Sequence, residues 1–200
     1  VTTAGFRDVL RIAYQNRPRL FDLEIRLPAD LYKEVIELDE RLDKDGRVLR
    51  ALDEAEVRRK LAPLRSRGIE SLAVCLMNSY RNGVHEQLVE RVARELGFRQ
   101  ISVSSQLSPL QKIVSRGDTT VVDAYLTPII RDYIAGIAAK VPQGVLKLMT
   151  SAGSLVDAAR FVGKDSILSG PAGGVVGYAL ARRAAGFERA IGFNMGGTST

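Results

Sequence analysis

The sequence predicts an α/β fold, and three observations carry that expectation. Segments of helical periodicity alternate with short apolar runs suited to buried strands. Charge is unevenly divided, with 36 charged side chains in residues 1–100 and 16 in residues 101–200, so the second half reads as the more buried. At 200 residues, 46% of them hydrophobic and with no Gly- or Pro-dominated tract, the chain can build one medium domain or two small ones, and disorder is excluded.

The elements follow in order. Residues 32–41 alternate toward Val35, Ile36 and Leu38, and Asp43-Lys44-Asp45-Gly46 offers turn chemistry before residues 47–52, which predicts a hairpin. Asp53 with Glu56 three residues later is a capping-type start for a helix carrying Val57, Leu61 and Leu64 to a stop at Gly68. Residues 71–77 read as a buried strand. A second helix, with Leu88, Val92 and Leu96 on one face, stops at Gly97, and residues 100–104 form the next strand. Residues 119–141 are helical through Val122, Tyr125, Ile129, Tyr133 and Ile137. Pro128 interrupts that pattern and removes an amide donor, which predicts a kink or a restart with Thr127 as N-cap. Residues 145–149 are then a strand, 150–154 a tight connection, and Ile167-Leu168 a short extended piece. Pro171 opens a small-residue helix reaching Gly186, and residues 190–195 form a last strand.

Composition excludes several functions. The net charge of +6 is spread thinly, from ten basic and ten acidic groups in residues 1–50 to five and three in residues 151–200. No face concentrates Lys and Arg between stacking aromatics, so nucleic-acid binding is not expected, and Arg58-Arg59-Lys60 reads as a solvated helix face. The single cysteine, Cys75, sits in an apolar run and reads as a buried thiol in a reducing, cytoplasmic setting. That run, residues 72–77, is the longest apolar one and falls far short of a membrane span of about 18 residues or more. One Cys and one His exclude a zinc site. His85 precedes Glu86 near a helix start, where a surface or capping role outweighs catalysis. Arg7 and Asp8 read as a structural pair.

Two segments could carry chemistry. In Gly196-Gly197-Thr198-Ser199-Thr200, two glycines let amide N–H groups converge on an anion while three hydroxyls add donors, which suits phosphate. The same pair suits an ordinary hairpin turn, and spacing alone favours the turn. Upstream, Ser169-Gly170-Pro171-Ala172-Gly173-Gly174-Val175-Val176-Gly177 puts several small residues into the start of a helix, where each glycine costs about 1 kcal/mol against alanine. Something approaches that backbone closely, and a neighbouring helix or a bound nucleotide would equally do.

Together these segments resemble the arrangement of a small-residue helix, a strand and a glycine-rich phosphate hairpin in the ATPase superfamily of actin, sugar kinases and heat-shock chaperones. Within it the chain resembles the hydantoinase A and 5-oxoprolinase family, which carries an S-G-P-A-G-G-V-V-G helix followed by F-D-M-G-G-T-S-T-D. Further landmarks are Gly5-Phe6-Arg7-Asp8, Leu20-Phe21-Asp22-Leu23, Glu34-Val35 with Asp39-Glu40-Arg41, Ser79-Tyr80 with His85-Glu86, and Asp123-Ala124-Tyr125-Leu126-Thr127-Pro128. Ile113-Val114-Ser115-Arg116-Gly117 and Gly174-Val175-Val176-Gly177-Tyr178 are more similar to the 5-oxoprolinase branch.

The resemblance implies a partial actin-like, ribonuclease H-like ATPase domain with an inserted α/β subdomain. Residues 1–19 and 116–200 would belong to the core and 20–115 to the insertion. It implies ATP and Mg²⁺ as cofactors, a small-molecule lactam as substrate, and the remainder of a parent polypeptide or a partner subunit as partner. Phosphorylation of the lactam oxygen would activate the ring carbon for water. Gly196, Gly197, Thr198, Ser199 and Thr200 would hold phosphate, and Gly173 and Gly174 would lie close to the nucleotide. Asn194 stands where the family has an acidic residue, a poorer partner for Mg²⁺. Gly83 and Ser154 replace a proline and a glycine, with local loop changes expected. The family's first phosphate hairpin is not among these residues, so the sequence reads as a fragment without turnover of its own. A hydantoinase A-type subunit and a non-catalytic ATPase-like scaffold are the alternatives.

Overall fold

A computed structural model describes residues 1–15, 19, 21–24, 28–141 and 144–193. The chain divides into two compact units, Val1–Pro128 and Ile129–Thr200.

The first unit is built on short parallel strands. β1 (Thr2–Thr3) pairs with β2 (Glu37–Leu38), and β5 (Ser71–Val74) pairs with β6 (Gln100–Val103), both in parallel. Val1 joins the two pairs: its nitrogen donates to Ala73 O at 2.7 Å, and Cys75 N donates to Val1 O at 2.9 Å. The strands therefore lie in the order β2-β1-β5-β6. Parallel neighbours need a crossover, and α3 (Val84–Glu95) supplies it between β5 and β6.

The pleat of β5 sends Leu72 and Val74 into a core with Val57, Leu61, Val89 and Val92 of α2 (Glu54–Ser66) and α3. Asp53 caps α2 as expected, its carboxylate accepting from Ala55 N at 3.0 Å. Both helices end as the glycines predict. Gly68 and Gly97 adopt φ of +80° and +81°, and Ile69 N and Phe98 N reach back to Leu64 O and Ala93 O. The buried face of α3 is rotated from the expected one: His85, Glu86, Val89, Val92 and Ala93 are buried, with Leu88 and Leu96 at its margin.

The predicted hairpin is β3 (Arg41–Leu42) against β4 (Val48–Arg50) around Asp43, whose carboxylate accepts from Asp45 N and Arg47 N at 2.9 and 2.8 Å. The stretch before it is no hairpin arm, because Glu37 and Leu38 pair with β1 instead. The four-residue helices α1 (Val9–Ile12) and α4 (Ser104–Leu107) follow β1 and β6.

α5 (Ile113–Ala138) begins earlier than expected and runs unbroken through Pro128. Thr127 is no N-cap. Its hydroxyl donates to Asp123 Oδ1 one turn back at 3.1 Å, so the helix forgoes a single amide donor at Pro128 rather than restarting.

In the second unit, β7 (Lys147–Met149) and β8 (Leu155–Asp157) form an antiparallel hairpin closed by Thr150 N donating to Ser154 O at 2.8 Å. Two 3₁₀ turns lead to α6 (Ser169–Ala184), which ends at Gly186 with φ +74°. α6 begins before Pro171. Ile167 is helical, with φ −59° and ψ −44°, rather than extended, since the chain is already turning into α6. Residues 190–193 are exposed and carry no strand pairing; backbone that meets no neighbouring ladder remains irregular, and the rest of that expected strand lies outside the described residues.

Candidate functional site

The phosphate-binding candidates Gly196, Gly197, Thr198, Ser199 and Thr200, and the metal candidate Asn194, lie outside the described residues. Gly173 and Gly174 fall in the first turns of α6 and are partly buried. A Cβ on Gly173 would meet Met149 Cγ at 3.3 Å, and one on Gly153 would meet Val176 Cγ2 at 3.2 Å. Close approach of the β7–β8 hairpin to α6 therefore accounts for part of the small-residue pattern. The space around Gly177 is open.

A site not foreseen from the sequence occupies the carboxyl ends of the parallel strands. His85 is no surface residue: it is 5% exposed, and its Nδ1 lies 2.6 Å from Glu40 Oε2. Glu40 also accepts from the Thr3 hydroxyl, and Thr3 Oγ1 in turn accepts from Met77 N at 2.9 Å. One chain of polar contacts thus joins the ends of β1, β2 and β5.

Beside it Glu86 is fully buried and accepts from Leu76 N (2.8 Å), the Ser104 hydroxyl (2.6 Å) and Ser105 N (2.8 Å). Arg116, entering from α5, donates to the hydroxyls of Ser79 and Ser104 and to Leu76 O, and lies 3.8 Å from Glu86. Both charges are wholly excluded from solvent, and the Arg116 Nε finds no partner among the described residues. Such a pair is tolerable only when hydrogen bonds satisfy most of its remaining groups, as these do. The layer fixes the loops after β5 and β6. Asn78 in the first of these takes φ +58° and ties Nδ2 to Leu42 O at 2.9 Å.

Arg7 pairs with Glu37 at 3.3 Å, not with Asp8. Glu37 Oε1 is nearer to the Gly5 amide, at 2.7 Å, and that backbone bond is the main cause holding its carboxyl below the usual range. A cleft of about 420 Å³ opens beside these residues, lined by Phe6, Arg7, Asp8, Val9, Ile12 and Glu37 among others. A mainly apolar pocket of about 490 Å³ is bordered by Ser71, Ala73 and Cys75 of the β5 segment and by Gly117 and Val121 of α5, among others. Cys75 is buried, as expected, and burial pushes its thiol up. No group of three His, Cys, Asp or Glu among the described residues could hold a metal ion, and no described helix is long and apolar enough to cross a membrane.

Fold and site together define an α/β protein whose parallel strand ends rest on a buried ionic layer. The family model for the hydantoinase/oxoprolinase N-terminal region matches residues 1–97, and the model for hydantoinase/oxoprolinase matches residues 116–200. 5-Oxoprolinase 1 of Arabidopsis thaliana is 43% identical over 99% of this chain, and the 5-oxoprolinase of Saccharomyces cerevisiae is 38% identical over all of it. The chain spans 18% of the length of each. Among solved structures, the ATP-dependent caprolactamase from Pseudomonas jessenii superposes with a TM-score of 0.84 at 25% identity, over 98% of this chain and 30% of that one. The chain belongs to the hydantoinase/oxoprolinase family.

Proposed function

We propose that the polypeptide carrying these residues opens a cyclic amide at the expense of ATP, with 5-oxoproline as substrate and glutamate, ADP and phosphate as products. The observation that carries this reading is the likeness of the chain to 5-oxoprolinases along nearly its whole length, at 43% identity over 99% of it. A solved relative described as an ATP-dependent caprolactamase supports both the nucleotide and the lactam. The finer fold belongs to the same proposal: an actin-like core formed by residues 1–19 and 116–200, with residues 20–115 inserted.

ATP would phosphorylate the amide oxygen so that water can add at the ring carbon; the ring C–N bond then breaks with a proton passing to nitrogen, and a second water adding at the acyl carbon releases phosphate. In this reading Gly196, Gly197, Thr198, Ser199 and Thr200 offer amide and hydroxyl donors to phosphate, and the backbone at Gly173 and Gly174 borders the nucleotide. The chemistry of Asn194 fits Mg²⁺ less well than a carboxylate would, so the ion's remaining oxygen ligands would come from water, phosphate and the rest of the polypeptide. That remainder, or a partner subunit, completes the site.

Asn194 is also the one residue that favours a second reading, a scaffold that keeps the shape without turnover. The test is phosphate release by the full-length polypeptide with ATP and Mg²⁺, with and without 5-oxoproline. Release that rises with the lactam, accompanied by glutamate, supports the hydrolase. Nucleotide binding with no lactam-dependent release supports the scaffold.

A further inference from the structure

The mainly apolar pocket of about 490 Å³ has the position of a strand within the sheet. Its lining includes residues 33–36, which lead into β2, residues 69–73, which lead into and along β5, and Val1 at the start of β1. Leu72 and Ala73 both border it, although neighbours along a strand face opposite sides of a sheet. The space therefore follows the edge of β5 rather than one of its faces.

The backbone on both sides of this slot is set for a parallel ladder. Glu70 O turns toward β6, where it accepts from Gln100 N at 3.1 Å, while Ala73 O and Cys75 N turn toward Val1, at 2.7 and 2.9 Å. Groups alternate in direction along a parallel strand, so Ser71 O and Ala73 N also face the side of β1. Across the slot, Ile36 O accepts from Thr2 N at 2.8 Å, and the same alternation turns Ile36 N and Glu34 O toward β1. None of Ser71 O, Ala73 N, Ile36 N and Glu34 O has a backbone partner among the described residues. Ser71, Ala73 and Ile36 are partly buried, where unpaired backbone groups are costly.

We propose that the slot takes an extended strand, and that this strand is the segment of the longer polypeptide that leads into Val1. The chain spans 18% of the length of its 5-oxoprolinase relatives, so most of a polypeptide of that size lies outside these residues. Two further residues use all four groups. The residue immediately before Val1 donates to Glu34 O and accepts from Ile36 N, and the one before that donates to Ser71 O and accepts from Ala73 N. This continues the order in which Val1 bonds to the β5 segment and Thr2 to Ile36. Paired on both edges, β1 becomes an inner strand whose far end, Thr3, carries the contact to Glu40 and His85. The proposal is independent of the lactam-opening reading.

The experiment is residue-resolved hydrogen exchange on the unsubstituted full-length polypeptide, followed by cross-linking. The amides of Ile36 and Ala73 exchange within about tenfold of those of Thr2 and Cys75, which are bonded across the same ladder. Exchange of Ile36 or Ala73 more than about tenfold faster overturns the proposal. Cross-linking then identifies the occupant and its register. Opposite residues of adjacent parallel strands lie about 5 Å apart at Cα, within reach of a disulfide. In a Cys75→Ala background, Ala73→Cys closes under a mild oxidant with a cysteine placed immediately before Val1. It does not close with one placed two residues before Val1, whose side chain faces the other side of the sheet. Mass spectrometry of the joined peptides reads both pairs. Closure of neither, or of both equally, overturns the assignment of the segment. If the cysteine variants fail to fold, the exchange rates of the unsubstituted polypeptide decide.

Discussion

Arg116 and Glu86 meet at 3.8 Å with neither side chain exposed, and between them they fasten Leu76, Ser79, Ser104 and Ser105 at the ends of β5 and β6. Removing one partner leaves the other charged in a site without water. Arg116→Met therefore destabilises the chain by about 3–5 kcal/mol, whereas the double variant Arg116→Met with Glu86→Gln recovers part of that loss. Urea midpoints of the unsubstituted chain and the two variants measure it. A single-variant loss below about 1 kcal/mol, the scale of an exposed pair, would show that water reaches the site.

Cys75 makes the fold sensitive to alkali. Burial is the main cause that lifts its thiol pKa, with the nearby Arg116 charge opposing. An unfolded chain releases that proton near pH 8.5, about the free-thiol value, while the folded chain still holds it. Stability is intact below that pH and declines above it by at most about 1.4 kcal/mol per pH unit until the folded thiol also ionises. In Cys75→Ala this component of the slope is absent. Unfolding followed from pH 7 to 10 shows the difference between the two profiles, and parallel profiles would contradict it.

Gly173 separates packing from ligand binding. The extra methyl of Gly173→Ala would ask Met149, a flexible side chain 3.3 Å away at Cγ, to yield a few tenths of an ångström. Helix propensity returns about 1 kcal/mol, so the melting temperature of the variant holds or rises. If Gly173 borders the nucleotide, the same methyl weakens ATP binding to the full-length polypeptide by about tenfold, a loss of about 1.4 kcal/mol. Calorimetry showing equal affinity would return Gly173 to helix packing alone.

Local chemistry was the legible part of the fold. Asp53 caps α2, the turn at Asp43 makes the hairpin, and Gly68, Gly97 and Gly186 stop three helices at positive φ, because each depends on atoms only a few residues away. The pairing of Glu37 with β1 and the continuity of α5 through Pro128 depend on distant partners, and both escaped the pattern. The buried layer escaped for a related reason. Glu40, His85, Glu86 and Arg116 are polar residues that composition assigns to water. One signal was available: His85 and Glu86 share helical spacing with Val89, Val92 and Ala93, so the apolar face of α3 contains them. The phosphate candidates at residues 196–200 rest on motif and family likeness, since they lie outside the described residues.

The proposed reaction has one isotopic consequence. If ATP phosphorylates the amide oxygen, one water adds at the ring carbon, the C–N bond breaks with a proton passing to nitrogen, and a second water adding at the acyl carbon sends the original oxygen out with phosphate. The full-length polypeptide, given ATP, Mg²⁺ and 5-oxoproline labelled with ¹⁸O in the ring carbonyl, is therefore expected to release phosphate bearing one labelled oxygen for each glutamate formed. Unlabelled phosphate, or phosphate release indifferent to the lactam, would contradict it.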